Sequence, residues 1–450
     1  MTSLGLFCLA ALTSVHAQSQ ADPRSDLAEC KSLVVAGGLP IDCDAAFMDA
    51  RLHTLQPHPA NVAWPTLAWD RGDMPTDTAP LVDDLITAAM AGEKTDTMGE
   101  TRAVVIIHQG RLVAEAYRDG FGPTTKQVSW SMAKSITQAL VGRAVHLGLI
   151  QDIDAPMPTP FEADDPRAAI TWRQWLTMTD GLDYKEINAT GLADNDVVNM
   201  MYGRGKYDVL AYVDAELPLI HEPGEHWNYS TAGYHLVSWA VMRPRHGKPS
   251  RTLEERQNSR TPKATIESSK LDSDIKSQPE SLMDILALVQ KESQPLSMEG
   301  SPDRPISSWP QSYCDDPLCR ALAALRERGH SGGCRRAALV SCILFANIGM
   351  NAQPEFDASG TFLGGSLVWA SARDFAKFGY LYLRDGVWED ERLLPEGWVD
   401  FARTKTPADN ANIYGAGWWI TAYGEDRSHP QNADSPPWDA FHAGGHEGQT

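Results

Sequence analysis

The run from Trp130 to Leu149, WSMAKSITQALVGRAVHLGL, constrains the fold of this chain more than any other stretch. Apolar residues recur at Met132, Ile136, Ala139, Leu140 and Leu147, the stripe of an amphipathic helix that stops near Gly148. At its mouth stands Ser131-Met132-Ala133-Lys134. Residues three apart share a helix face, so Lys134 is expected to reach the Ser131 oxygen. A hydroxyl is a weak nucleophile at its own pKa. A lysine desolvated into its neutral form can take its proton, and a helix N-terminus favours negative charge developing there.

Ser-x-x-Lys alone is a weak signal, since it recurs at Ser273-Asp274-Ile275-Lys276 inside a charged stretch with no helical stripe. Other segments supply context. Pro223-Gly224 opens a turn that delivers Tyr229, followed by an apolar helical run through Leu236, Val237 and Ala240. Ala443-Gly444-Gly445-His446-Glu447-Gly448-Gln449 is glycine-dense, and such a backbone can approach a ligand closely. Thr101 to Arg118 reads as a hairpin, two apolar runs turning at Gln109-Gly110.

With these motifs in this order the chain resembles the serine beta-lactamase and penicillin-binding-protein superfamily, in its class C-like esterase and 6-aminohexanoate-dimer-hydrolase branch. That branch carries a Ser-x-x-Lys, a Tyr-x-Asn or Tyr-x-Ser, and a Lys-Thr-Gly-like strand. Flanking text at 170–182 and 356–398, including Gly364-Gly365-Ser366, is similar as well, so the likeness spans about residues 60–245 and 343–449. It implies an α+β fold, beta-lactamase/transpeptidase-like, with a mostly antiparallel sheet flanked by helices, a helical subdomain and the site between them.

Carried over residue by residue, the resemblance makes Ser131 the acylated nucleophile, Lys134 its base and Tyr229 a proton shuttle. A phenol ionises near ~10 in water, so Tyr229 would need a cation such as Lys134 beside it to act as a phenolate. The backbone N–H groups of Ser131 and His446 would form the oxyanion hole. Thr231, Ala443, Gly444 and Gly445 would line the substrate. No metal and no organic cofactor is implied. Thr231 stands where many relatives have Asn, and Ala443 where the Lys-Thr-Gly motif has its lysine. Without that cation, carboxylated beta-lactams and D-Ala-D-Ala peptides lose their charge partner, with His442, His446 and Arg373 open as substitutes. The expected reaction is therefore cleavage of a small-molecule ester or uncharged amide through an acyl-enzyme. The alternatives are a beta-lactamase or D-Ala-D-Ala carboxypeptidase, and an inactive binding protein of the same fold.

Competing motifs fit less well. Gly329-His330-Ser331-Gly332-Gly333 matches a nucleophile elbow, but a basic, helix-favouring ALAALRER precedes it instead of a buried strand. Glycines argue against a metal-binding helix at His442 and His446, and Pro and Gly against one at His221 and His226. Trp172, Trp175, Trp418 and Trp419 read as core or pocket wall. No phosphate loop or dinucleotide fingerprint occurs.

Residues 1–17 read as a signal peptide and 18–59 as an N-terminal arm, implying a secreted or periplasmic protein. Later apolar runs are too short to span a bilayer. A formal net charge of −20 argues against nucleic-acid partners. Cys8 falls in the leader; Cys30 and Cys43 bracket a short loop and could pair in an oxidising space, while Cys314, Cys319, Cys334 and Cys342 lie outside the family-like segments. From about Arg243 to Arg336 the composition shifts to Ser, Pro, Lys, Glu and Gln without sustained periodicity. Residues 248–342 are accordingly expected to be a low-complexity insertion between two parts of one domain, 60–247 and 343–450. Relatives continue past the glycine-rich strand with more strands and a closing helix, so a domain truncated at the C-terminus is expected. Oligomeric state stays open.

Overall fold

Helix α1 (Ala79–Met90) carries Pro80 in its first turn, where a missing N–H leaves no helical bond unmade. After it comes the hairpin, in a computed structural model that describes residues 54–91, 100–242, 340–341, 343–389, 391–409, 413–420 and 440–450. The leader, all seven cysteines, Ser273 to Lys276, Gly329 to Gly333 and the insertion apart from residues 340–341 lie outside the described residues. Strands β1 (Ala103–His108) and β2 (Arg111–Tyr117) pair antiparallel from Ala103↔Tyr117 to His108↔Arg111, with a bulge between Ile106 and Ile107. Gln109 and Gly110 make the turn with φ of 47° and 78°, the two left-handed residues that match the twist of the strands.

Strand β3 (Gln127–Val128) leads directly into helix α2 (Met132–His146). The turn between them falls on Trp130, a non-glycine residue at φ 45°. Helix α2 ends where expected: Gly148 takes φ 69°, and the N–H groups of Gly148 and Leu149 close back on the carbonyls of Val145 and Ala144. Its burial differs from the amphipathic reading. Every residue from Met132 to Ala144 is buried, polar ones included, because each long polar side chain meets a partner. Ser135 donates to the Gly417 carbonyl (2.6 Å), Thr137 to that of Gly364 (2.8 Å), Tyr382 to the Gln138 amide oxygen, and Arg143 pairs with Glu391 (3.1 Å). At Gly142 the helix lies against Trp398 so closely that a Cβ would stand 2.3 Å from the indole nitrogen. The helix is thus the central pillar of the fold.

Among the described residues, four α-helices follow before residue 243. They are α3 (Trp172–Leu176), α4 (Asp196–Met201), α5 (Val209–Glu216) and α6 (Thr231–Met242). Thr171, Asn195 and Asp208 cap the first three through their side chains. Helix α6 packs on α2, α3 and α5. Helix α7 (Ala372–Leu383), capped by Ser371, packs on β1, and α8 (Trp398–Arg403) brings Trp398 onto α2. Strands β4 (Gln353–Pro354) and β5 (Val368–Ala370) join β3 in the order β3-β5-β4. Two further ladders pair β6 (Val387–Trp388) with β7 (Glu391–Arg392) and β8 (Trp419–Ile420) with β9 (Phe441–His442).

The fold is α+β, and every pairing between named strands is antiparallel. Among the described residues these strands form four short ladders instead of one continuous sheet. No helix among them is long and apolar enough to cross a membrane.

Candidate active site

Ser129, Trp130 and strand β5 fix the position of Ser131. Ser129 pairs with Val368 on β5: its N–H donates to the Val368 carbonyl (2.8 Å), and the Val368 N–H donates to its hydroxyl (3.0 Å). The left-handed Trp130 then swings Ser131 to the start of α2. In that N-cap position Ser131 makes no side-chain cap bond, which leaves its half-buried hydroxyl to Lys134, as the spacing predicts.

Lys134 is 1% exposed, yet its amine has three oxygen neighbours. Nζ lies 2.9 Å from Ser131 Oγ, 2.7 Å from Thr231 Oγ1 and 2.8 Å from the Gly365 carbonyl. Burial brings its pKa down to about 8, against the opposing pull of the Glu186 charge. An amine so poised loses its proton within reach of neutrality, and its lone pair can then accept the proton of the adjacent hydroxyl.

Tyr229, 4% exposed at the foot of α6, joins the same cluster as expected, but not as a phenolate. Lys134 Nζ sits over its ring, 4.8 Å from the centroid, so the cation faces the π system. Burial pushes the phenol well above its ordinary pKa; the Glu186 charge adds to this, while the Ser131 hydroxyl within hydrogen-bonding reach acts the other way. The neutral phenol is therefore the resident form, and Lys134 is the group tuned toward neutrality. Trp419 stacks on the Tyr229 ring (5.3 Å, 26°) and Tyr414 meets it edge-on (5.8 Å, 87°), which fixes the ring plane.

The remaining predicted residues divide. Thr231 is fully buried with its hydroxyl already committed, accepting from Lys134 and donating to Glu186 Oε1 (3.0 Å). That commitment makes it a part of the lysine's cradle before any substrate contact. The glycine segment does reach the site. A Cβ on Gly445 would stand 2.4 Å from the Ser129 carbonyl, and one on Gly444 2.7 Å from Trp419, so both need to be glycine for the backbone to come this close. The His446 ring meets Trp130 edge-on (5.8 Å, 88°), which brings the segment beside the start of α2. Ala443 packs against the core, and the exposed His442 stacks loosely on Trp419 (6.5 Å). Arg373 is not in the site: it grips Glu115 at 2.8 and 2.6 Å and holds that carboxyl down at about 2. Trp172, Trp175 and Trp418 are core, while Trp419 is a wall of the site.

Two participants were not among the candidate site residues, although Gly365 lies in the family-like Gly364-Gly365-Ser366. Glu186 arrives from a loop 45 residues before Thr231. Gly365, whose carbonyl accepts from Lys134, also donates its N–H to His235 Nδ1 (3.2 Å). His235 is fully buried, and burial together with the Lys134 charge holds its pKa down at about 3, so it is a neutral acceptor. His221 and His226 come together with ring centroids 4.2 Å apart. Among the described residues no group of three His, Cys, Asp or Glu side chains is arranged to hold a metal ion.

Among curated proteins, no sequence matches this one. Several solved structures are similar in shape. A Bacillus anthracis protein assigned as a 6-aminohexanoate-dimer hydrolase is 16% identical over 90% of this chain and 84% of its own, with a TM-score of 0.47. A penicillin-binding protein homologue from Caulobacter crescentus is 16% identical over 84% of this chain and 87% of its own, with a TM-score of 0.41. A D-amino acid amidase from Ochrobactrum anthropi is 13% identical over 72% and 75%, with a TM-score of 0.34. The family model described as Beta-lactamase matches residues 82–257, the stretch that holds Ser131, Lys134, Glu186, Tyr229 and Thr231.

Proposed function

We propose that this chain is a serine hydrolase that cleaves an ester or an amide through an acyl-enzyme on Ser131. The observation that carries the reading is the buried Lys134 amine, 2.9 Å from Ser131 Oγ, with its pKa near 8. Ser131 Oγ attacks the substrate carbonyl carbon as its proton passes to Lys134 Nζ, and the backbone N–H groups of Ser131 and His446 receive the oxyanion. When the carbon–leaving-group bond breaks, the departing oxygen or nitrogen takes a proton from the Tyr229 phenol, which the Lys134 ammonium restores. Water then repeats the sequence on the acyl group: its proton goes to Lys134, the carboxylic acid departs, and Ser131 regains its proton.

Esters and uncharged amides are preferred over carboxylated substrates because Ala443 offers no cation and Arg373 is spent on Glu115. A charge-assisted contact is worth roughly 1.5 to 3 kcal/mol, or about one to two decades in kcat/KM. Short p-nitrophenyl esters should therefore outperform nitrocefin; the reverse order would favour a beta-lactamase. The decisive experiment is labelling with a fluorophosphonate followed by peptide mapping. An adduct on Ser131, lost in Ser131→Ala, is expected. No adduct on Ser131 in the folded protein would overturn the reading in favour of an inactive binding protein.

A further inference from the structure

The cradle of Lys134 has a direction that the three motif residues cannot set alone. A neutral amine has two N–H donors and one lone pair, and Lys134 Nζ has three oxygen neighbours. The Gly365 carbonyl can only accept, so it takes one N–H. The Thr231 hydroxyl is ambiguous, since it can accept the second N–H or donate into the lone pair. Glu186 removes that ambiguity. Its Oε1 accepts the Thr231 hydroxyl at 3.0 Å and its Oε2 accepts the Thr231 backbone N–H at 3.1 Å, so the hydroxyl proton points away from the amine.

We infer that Glu186 is a positioning residue of this site: it holds Thr231 as an acceptor toward Lys134, which leaves the amine's lone pair for Ser131. The inference rests on the acyl-enzyme reading of Ser131 and adds to it the group that aims the base. The loop is shaped around this carboxylate. The Glu186 N–H donates to Asn188 Oδ1 (3.2 Å), its carbonyl accepts from Asn195 Nδ2 (3.2 Å), and Asp183 N–H ties the loop to the Pro218 carbonyl (2.9 Å). Around the amine stand the Tyr229 ring on the approach to α6, neutral His235 on α6 and the Glu186 carboxylate on its loop, with the buried Tyr184 phenol beside Glu186. Glu186 is the anion of this set, and its charge holds the lysine pKa up against burial.

Glu186→Gln is the informative change. The amide oxygen still accepts the Thr231 N–H and so keeps the cap on α6, but the amide nitrogen now donates to the Thr231 hydroxyl and turns its proton onto the Lys134 lone pair. Fluorophosphonate labelling reads this directly: the Ser131 Oγ–P bond forms, fluoride leaves, and the proton goes to Lys134. The wild-type rate should rise with pH through about 8. Glu186→Gln should melt as the wild type does, label Ser131 about tenfold or more slowly, and show a pH limb displaced to lower pH; Glu186→Asp should recover part of the rate. In a double-mutant cycle read on the high-pH plateau, Glu186→Gln should cost no further rate in a Thr231→Val background, because the aiming acts through that hydroxyl, while the displacement of the limb, which comes from the Glu186 charge itself, remains. Wild-type labelling with an unchanged rate and limb in Glu186→Gln overturns the inference while leaving the acyl-enzyme intact. So does a full additional loss of plateau rate in the Thr231→Val background. Thr231→Val alone decides the matter if the Gln variant is unstable: a wild-type labelling rate there would show that this hydroxyl has no part in aiming the amine and overturns the inference. Absence of Ser131 labelling in the wild type overturns the acyl-enzyme reading itself, and the role of Glu186 with it.

Discussion

The Lys134 amine lies 2.8 Å from the carbonyl oxygen of Gly365, a residue 231 positions later in the chain. This bond couples the start of α2 to the 363–366 segment, and Gly365 has no room for a side chain. A Cβ there would stand 2.7 Å from the Thr231 carbonyl and 3.2 Å from His235 Cε1. Gly365→Ala should therefore push the carbonyl off Lys134, destabilise the protein by about 1 to 3 kcal/mol and slow acylation of Ser131. Equilibrium unfolding together with the labelling rate tests this. Wild-type values in both would mean that the segment moves freely and that the bond has no part in aiming the lysine.

Activity should follow the ionisation of Lys134. Its pKa is lowered by burial to about 8, and the reactive form is the neutral amine, so kcat/KM on a neutral ester should rise as pH increases through about 8. Lys134→Ala should cost about 10²-fold or more. A profile that is flat through this range would show that Ser131 is activated by another group.

Tyr229→Phe should keep the fold, because the Trp419 and Tyr414 contacts need only the ring. It should lose about 10²-fold in turnover if the phenol carries the leaving-group proton. Since burial raises its pKa, difference spectra of wild type against this variant should contain no phenolate band near neutral pH. A band at that pH would restore the phenolate base.

The residues legible in the sequence are those whose chemistry is local. Ser131 and Lys134 sit one turn apart, and the Gln109-Gly110 turn is dictated by the strands on either side of it, so pattern alone places them. Tyr229 was legible through its Pro-Gly turn, with Gly224 at φ 100°. The long-range partners were not. Glu186 and Gly365 reach Lys134's surroundings across tens to hundreds of residues, and nothing in Tyr184-Lys185-Glu186 separates it from a solvated loop. Burial of α2 on all faces was hidden for a related reason. The polar side of the helix looks solvent-facing until Gly417, Gly364 and Tyr382 are known to receive it. Arg373 was similarly ambiguous, because a guanidinium can pair with a substrate or with a protein carboxylate, and Glu115 lies on a distant strand.

Asp180 lies in the turn between α3 and the Glu186 loop. It is 4% exposed, its Oδ1 accepts the Leu182 N–H at 3.0 Å, and Oδ2 is buried with no hydrogen-bond partner. Burial raises its pKa to about 7, against about 3.9 in an unfolded chain. Between those values the folded state holds the extra proton, so stability falls as pH rises. The contribution is fully present below about pH 4 and is lost as pH climbs through about 7. Asp180→Asn keeps the acceptor for Leu182 and removes the ionisation, so it should stabilise the protein above about pH 8 by on the order of 2 to 4 kcal/mol while changing little near about pH 4. Urea unfolding of both proteins at the two pH values measures the difference, in which every other titrating group cancels. An equal effect at both would mean that Asp180 is already ionised in the native protein, with a cation or water reaching Oδ2.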